Sequence, residues 1–259
     1  MNNIHVQDLT RQILKTTVSL QKKKYRNIKE KIVIEGLLPL EEALRSAYRI
    51  TEIFFNPFLL KKPGVKECIL LAQERYDTRC YEVNGSELKQ ISSEVTPQGI
   101  VSVAQQQKFS HEEFHGNILL LDQLQDPGNV GTLFRIAHWF GLGGVILTKG
   151  TADVHNPKVI RASMGSFFHL PFVYIEDLPE SLLSGRTLVL TKTHGKNNIQ
   201  DIKGEEISPF ILVIGNEARG INPEFDAYPH QDLTLPSLGD AESLNAAVAT
   251  AAILSKLLY

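Results

Sequence analysis

Apolar and polar positions along the chain switch repeatedly between two periods. "KIVIEG", "ITEIFFN", "RCYEV" and "GIVSVAQQ" read as strands in the first part of the chain. "LPLEEALRSAY" and "GVKECILLAQER" carry helical spacing between them, and "IHVQDLTRQILKTTVSLQ" predicts a helix before the first strand. This alternation predicts a small α/β domain over residues 1–106. "QQKFSHEEFHGN" has no apolar pattern to bury and reads as a linker, 107–116. Beyond it, "ILLLDQ", "GVILT", "PFVYI", "TLVLTKT", "FILVIGNE" and "DLTLP" are short apolar strands. Runs this apolar suit a parallel sheet covered on both faces. Helical stretches separate most of them and "ESLNAAVATAAILSKLL" follows the last, so residues 117–259 predict an α/β domain with a mostly parallel sheet.

Charge and composition narrow the function. The chain of 259 residues is 42% hydrophobic and 22% charged, ordinary globular values. No apolar run reaches the roughly 20 residues of a membrane helix, and the start lacks a signal-peptide core. Two cysteines make no disulfide framework, so the cytoplasm is the expected compartment. The net charge of −2 hides an asymmetry. Residues 1–108 hold 17 Lys and Arg against 12 Asp and Glu; the remainder hold 10 against 17. The basic excess gathers at "KKKYRNIKEK", a cluster able to neutralise phosphates or, equally, a solvated helix end.

Two motifs that mislead drop out. "HEEFH" has zinc-protease spacing, but Gly116 and a strand at Ile118 leave no helix to present both histidines, and no other histidines have metal-ligand spacing. "NGS" at Asn84 is a glycosylation signal only in a secreted chain. No G-x-G-x-x-G follows a strand, which argues against a dinucleotide oxidoreductase.

Three other segments point to chemistry. In "DPGNVGTLFR", Asp126 and Pro127 start a helix at the carboxyl edge of a strand, where ligands of open α/β sheets bind, with Asn129 and Arg135 on its early part. "LVIGNEARG" runs a strand into Gly215, Glu217 and Gly220. "LTLPSLGDAESLN" leads through Gly239 to Ser243, a candidate helix cap, and Asn245. Each alone is equally an ordinary strand, turn and helix. In this order on one domain they resemble the SpoU/TrmH family of RNA 2′-O-ribose methyltransferases, of the knotted SPOUT class. The family's Asn-x-Gly-x-x-x-Arg matches Asn129, Gly131 and Arg135. Its Gly-x-Glu-x-x-Gly matches Gly215, Glu217 and Gly220, and its third motif matches Leu235-Pro236, Gly239 and Ser243-Leu244-Asn245. "IRASMGSFFHLPF" is similar to the segment between the first two motifs. "VIEGLLPLEEAL" through "TPQGIVSVA" resembles the family's ribosomal-protein-like RNA-binding domain. Ser237 stands where the family commonly has methionine, and Asp240 and Glu242 add negative charge to that loop.

The resemblance implies a trefoil-knotted methyltransferase domain, an exception to unknotted topology, in a homodimer that uses S-adenosylmethionine without a metal. It implies a cofactor pocket at Thr193, Gly195, Ile214, Gly215, Gly220, Leu235, Pro236, Gly239 and Leu244. Arg135 would hold an RNA phosphate beside the reacting ribose, because a guanidinium is a poor base and a good phosphate fork. Asn129, Glu217, Ser243 and Asn245 would orient it and the ribose. Lys22, Lys23, Lys24, Arg26 and Lys29 would grip RNA, as would Arg135. The separate RNA-binding domain favours large-subunit ribosomal RNA. A transfer-RNA enzyme, base methylation, a resistance role and a non-catalytic RNA-binding protein of the same fold are the alternatives.

Overall fold

The computed structural model describes residues 3–193, 197–202, 207–240 and 243–259, in two compact units. The first comprises residues up to Lys108 together with Asp153–His169. Its sheet has the order β1 (Lys31–Glu35), β4 (Ile100–Gln105), β2 (Ile50–Phe55), β3 (Arg79–Glu82). β4 runs antiparallel to both neighbours, and β2 and β3 are parallel. The predicted strands are all present. The predicted first helix is shorter, α1 (Arg11–Ser19), because Thr10 caps it and Val6 instead pairs with Cys80 at the sheet edge.

α2 (Lys23–Lys29) carries the basic cluster and splits it by face. Lys22, Lys23, Lys24 and Lys29 are exposed, whereas Arg26 is 2% exposed. The Arg26 guanidinium donates to the carbonyls of Leu20 and Gln21 and pairs with Asp153. Arg26 is therefore structural, and the expected RNA-gripping set loses it: a buried cation needs its partners where they are.

The 153–169 segment holds α7 (Pro157–Ala162) and is built into this unit through polar and aromatic contacts. Arg161 donates to the buried Glu35 at 2.8 Å, and Glu35 also accepts from the backbone N–H and hydroxyl of Ser93. His169 pairs with Glu42, and Tyr48 packs against Phe167 and Phe168. His155 lies edge-on to Phe167. Burial pushes its imidazole down to about 4; Asp153 opposes that shift, and Arg26 and Lys23 add to it. The unfolded chain takes this proton near pH 6.5, the folded chain only near 4. Stability therefore rises with pH across that window, by about 1.4 kcal/mol per pH unit from this one group. Urea melts of the wild type and His155→Gln at pH 5 and pH 7 should show the variant lacking that increment. Equal pH dependence in the two would refute it.

The second unit, Phe109–Ala152 with Leu170–Tyr259, contains a seven-stranded sheet. Its strands are β5 (Ile118–Leu121), β6 (Val145–Thr148), β7 (Phe172–Ile175), β8 (Thr187–Thr191), β9 (Asn197–Asn198), β10 (Phe210–Ile214) and β11 (His230–Thr234). They stand in the order β7-β6-β5-β10-β8-β11-β9, and every pairing is parallel. All parallel strands point their carboxyl ends to one edge, so the loops after β5, β10, β8 and β11 are consecutive neighbours there. α6 (Pro127–Trp139) and α9 (Ala246–Leu258) pack on each other. The stretch expected to be a linker is anchored instead: Phe114 sits in this unit's core and Phe109 meets the Phe172 ring edge-on. Two isolated aromatics in a polar run carry no period, so the pattern hid them. "HEEFH" forms a single 3₁₀ turn, His111–Glu113, capped by Ser110.

Candidate active site

The strand-to-helix turn after β5 is fixed by one acid. Asp122 is 1% exposed and accepts from the Thr148 hydroxyl at 2.7 Å and from Asn222 N–H at 2.7 Å, tying together the exits of β5, β6 and β10. Thr148 in turn accepts from Gln123 N–H. Sequence reasoning passed over Asp122, although a lone carboxylate closing the fully apolar "ILLL" was a visible signal. Four residues on, Asp126 caps α6 by accepting from Asn129 N–H at 2.7 Å, and Pro127 occupies the first turn. Asn129 is thereby held at the sheet edge.

The loop after β10 closes on itself. Asn216 and Gly220 exchange two backbone hydrogen bonds of 2.9 and 2.8 Å, with Gly220 at φ +72°. The Asn216 side chain accepts from the N–H groups of Ala218 and Arg219 and donates to the Gln123 carbonyl, fastening this loop to the β5 turn. Gly215 faces the returning chain so closely that a Cβ would stand 2.4 Å from Gly220 C and from Ile221 N. Glu217 projects from the rim and is exposed.

α9 starts later than expected. Asn245, not Ser243, is its cap, accepting from Ala247 and Val248 N–H. The Asn245 amide donates to Asn129 Oδ1 at 2.9 Å, and Asn129 Nδ2 donates to Glu217 Oε1 at 2.7 Å. One residue from each sequence motif is thus joined in a continuous relay. Its polarity is set: Glu217 can only accept, so Asn129 turns its amide towards the acid and its carbonyl towards Asn245.

The other expected residues lie around this relay in different states. Ser243 is exposed two residues before the cap. Arg135 is exposed on α6, and its side chain makes no hydrogen bond or ion pair among the described residues. It follows Asn129 by six residues, about 9 Å along the helix and roughly 120° around it. Within one chain, therefore, Arg135 does not join the relay. Among the expected cofactor residues, Thr193 is exposed just beyond β8, Ile214 is buried at the end of β10 and Gly215 is half-buried. Leu235 and Pro236 are half-buried after β11, Gly239 is exposed, and Leu244 is 54% exposed. Ser237, the departure from the family pattern, closes a tight turn by donating to the Gly239 carbonyl. Gly195 and Glu242 lie outside the described residues.

Past β8, Lys192 bridges Asp226 at 2.7 Å and Asp232 at 2.8 Å, next to His230. These hydrogen bonds raise the Lys192 pKa and lower that of Asp226. Asp226, His230 and Asp232 are close enough to one another for a metal, but an ammonium sits on both carboxylates.

The SpoU rRNA Methylase family matches residues 116–255, a span that holds the whole relay and every loop just described. The chain belongs to the SpoU rRNA methylase family. Residues 11–102 match the MRM3-like substrate binding domain, a second module beside the SpoU methylase one. The 23S rRNA (guanosine(2553)-2′-O)-methyltransferase RlmP of Bacillus subtilis (strain 168) is 31% identical over 97% of this SpoU methylase and 98% of its own length. A 23S rRNA (uridine(2479)-2′-O)-methyltransferase of Streptomyces viridochromogenes is 36% identical over 55% of the chain and 52% of its own. An AdoMet-bound rRNA methyltransferase from Sinorhizobium meliloti superposes with a TM-score of 0.82 at 27% identity, covering 97% of this chain and 96% of that one.

Proposed function

We propose that this chain transfers the methyl group of S-adenosylmethionine to a ribose 2′-OH of large-subunit ribosomal RNA. The observation that carries the reading is the Asn245–Asn129–Glu217 relay at the carboxyl edge of the sheet. RlmP, similar along nearly the whole chain, names the reaction and the RNA class.

The cofactor loops fit an adenine-bearing, cationic donor. The segments after β10, β8 and β11 are adjacent along the edge. They offer the half-buried Leu235 and the exposed Leu238 and Leu244 as apolar faces, and backbone groups at Gly215, Pro236 and Gly239 for polar edges. When bound there, S-adenosylmethionine supplies an electrophilic methyl on a sulfonium. Glu217 belongs to the loop shared by this pocket and the relay, so the ribose held by Asn129 and Asn245 faces the donor. Arg135 holds the neighbouring RNA phosphate in its planar fork. The 2′-OH proton leaves towards that phosphate as the oxygen–carbon bond forms and the carbon–sulfur bond breaks.

A second copy of the chain completes the site in this reading. Trp139 is 80% exposed at the end of α6, and Val248 on α9 and Tyr259 just past its end are exposed. A homodimer seated on this α6–α9 face covers them and closes the site around Arg135. Asn129, Arg135, Glu217, Ser243 and Asn245 are the proposed catalytic set, with the SPOUT knot enclosing the cofactor loops. The proposed compartment is the cytoplasm, where ribosomal RNA and two unpaired cysteines, Cys68 and Cys80, are both at home. No helix of the described chain is long and apolar enough to cross a membrane.

The test is transfer of labelled methyl from S-adenosylmethionine to deproteinised 23S rRNA, 16S rRNA and bulk transfer RNA, offered separately. Label in 23S rRNA that renders one linkage resistant to alkali is the expected result. Label confined to transfer RNA, or attached to a base, would displace the reading, and absence of label with all three would remove it.

A further inference from the structure

The first unit carries an open cavity of about 460 Å³ that the three methyltransferase motifs do not touch. It lies between the segment after β2, the helix α5 (Gly85–Ile91) and the loop 95–99. Its size falls within the range of small-ligand sites, roughly 300–1,000 Å³. Two of its walls are apolar side chains left in solvent: Phe58 is 78% exposed and Val95 is 93% exposed. Large apolar groups in solvent lining one cavity mark a binding surface rather than scattered exposure.

The charge around it has one sign. Lys62 and Lys89 line the cavity, and Lys61 Nζ stands 5.7 Å from the Phe58 ring centroid. None of the three lysines forms an ion pair among the described residues, and no carboxylate lines the cavity. The two nearest acids by sequence are engaged elsewhere: Glu87 accepts from Asn84 N–H and Glu94 pairs with Arg161. The polar groups of the lining are neutral and bifunctional, from Asn56, Thr96 and Gln98. The frame is preset, since Asn56 N–H donates to the Gly99 carbonyl at 2.8 Å and Asn56 Oδ1 accepts from Phe58 N–H at 3.0 Å.

An exposed ring, uncompensated ammonium groups and neutral hydrogen-bonding side chains together match a nucleotide: a flat base, a phosphate and base edges. Splayed-out bases of single-stranded RNA are recognised in this way, by stacking on aromatic side chains. We propose that this cavity receives one unstacked nucleotide of the RNA substrate, its base against Phe58 and its phosphate at Lys62 and Lys89. The inference rests on the reading of the chain as an RNA methyltransferase, and adds an anchoring point independent of the exposed lysines of α2. Phe58 and Lys89 are positioning residues; neither belongs to the methyl-transfer site.

The experiment uses the full chain and 23S rRNA transcripts bearing 4-thiouridine. Photo-crosslinked peptides are mapped by mass spectrometry, and steady-state methyl transfer is measured for Phe58→Ala and Lys89→Gln. Crosslinks should fall in peptides containing Phe58 or Val95. Each variant should raise KM for RNA about 10-fold, a typical loss for one stacked base or phosphate contact, with kcat and cofactor affinity unchanged. Crosslinks confined to other peptides, no crosslink at all, or an unchanged KM in both variants would overturn the inference, even with methyl transfer intact. Crosslinks at the cavity without methyl transfer to 23S rRNA would keep the cavity and remove the proposed activity. Phe58 is mostly in solvent, so its loss leaves the fold in place, and Lys89→Gln is an independent check.

Discussion

Arg135→Ala loses methyl transfer by about 10³-fold or more, while S-adenosylmethionine binds within about twofold of the wild-type affinity. On the proposed mechanism the size follows from removing the charged donor that holds the RNA phosphate at the reacting centre, where single groups are worth roughly 10²–10³ in turnover, together with the lost orientation of the ribose. The selectivity follows from where Arg135 stands. It is exposed on α6, its guanidinium bonds to nothing among the described residues, and it lies on a different element from the loops after β8, β10 and β11. Alanine is the better helix former by a small margin, so the fold bears no cost. Arg135→Lys separates charge from shape. An ammonium keeps the positive charge but cannot form two parallel hydrogen bonds to a phosphate, and this variant should recover only a small part of the rate. Isothermal titration with the cofactor and single-turnover methylation of 23S rRNA measure the two quantities. Near-normal turnover in the alanine variant would remove Arg135 from the mechanism.

Gly215→Ala is expected to damage the loop after β10 and the relay together. Its Cβ would lie 2.4 Å from Gly220 C and Ile221 N and 2.6 Å from the Gly220 carbonyl oxygen, all backbone atoms. The returning chain must move away, and the paired hydrogen bonds between Asn216 and Gly220 then separate. Asn216 also holds the Gln123 carbonyl, and Glu217 follows it directly, so the proposed cofactor loop and the relay are disturbed together. Overpacking of this kind costs about 1–3 kcal/mol, enough to lower the melting temperature by several degrees. Cofactor affinity should fall at least about 100-fold, as expected when a pocket wall shifts by an ångström. Gly239→Ala is the matched control: nothing lies within 4 Å of its Cβ position, and its φ is not in the left-handed region. It should bind the cofactor almost as well as the wild type. Equal behaviour of the two variants would show that the close approach at Gly215 is not what shapes the pocket.

The elements were legible wherever one period ruled a segment. "ILLL", "VILT" and "FILVI" are buried throughout, as continuous apolar runs in a parallel sheet must be, and the four strands of the first sheet fell where alternation put them. The order of strands was not legible, because pairing is decided between segments far apart in sequence. β10 pairs with β5 and β8, and nothing in "FILVI" names those neighbours. Of the candidate site, Asn129, Glu217 and Asn245 were singled out through their motifs, and the fold joins them by hydrogen bonds. Arg26 was misread because a basic run has no local mark of which side chain turns inward; its partner Asp153 lies 127 residues away. Ser243 was taken as a cap because serine and asparagine both cap well, and only the backbone decides between them. Asp122 and Asn216 were missed because their work is to fasten loops, a role without a spacing rule.

The first unit is interrupted in the chain: 44 residues of the second unit, Phe109–Ala152, separate Lys108 from Asp153. During synthesis the four strands of its sheet leave the ribosome first, yet Arg26, Glu35, Glu42 and Tyr48 wait for Asp153, Arg161, His169 and the phenylalanines 167 and 168. By then β5, α6 and β6 have already been made. The amino-terminal module therefore matures only after part of the methyltransferase sheet exists, and the two modules come into being as interleaved rather than successive folding events. A shuffled gene that moved this module alone would carry off a surface with its polar partners missing.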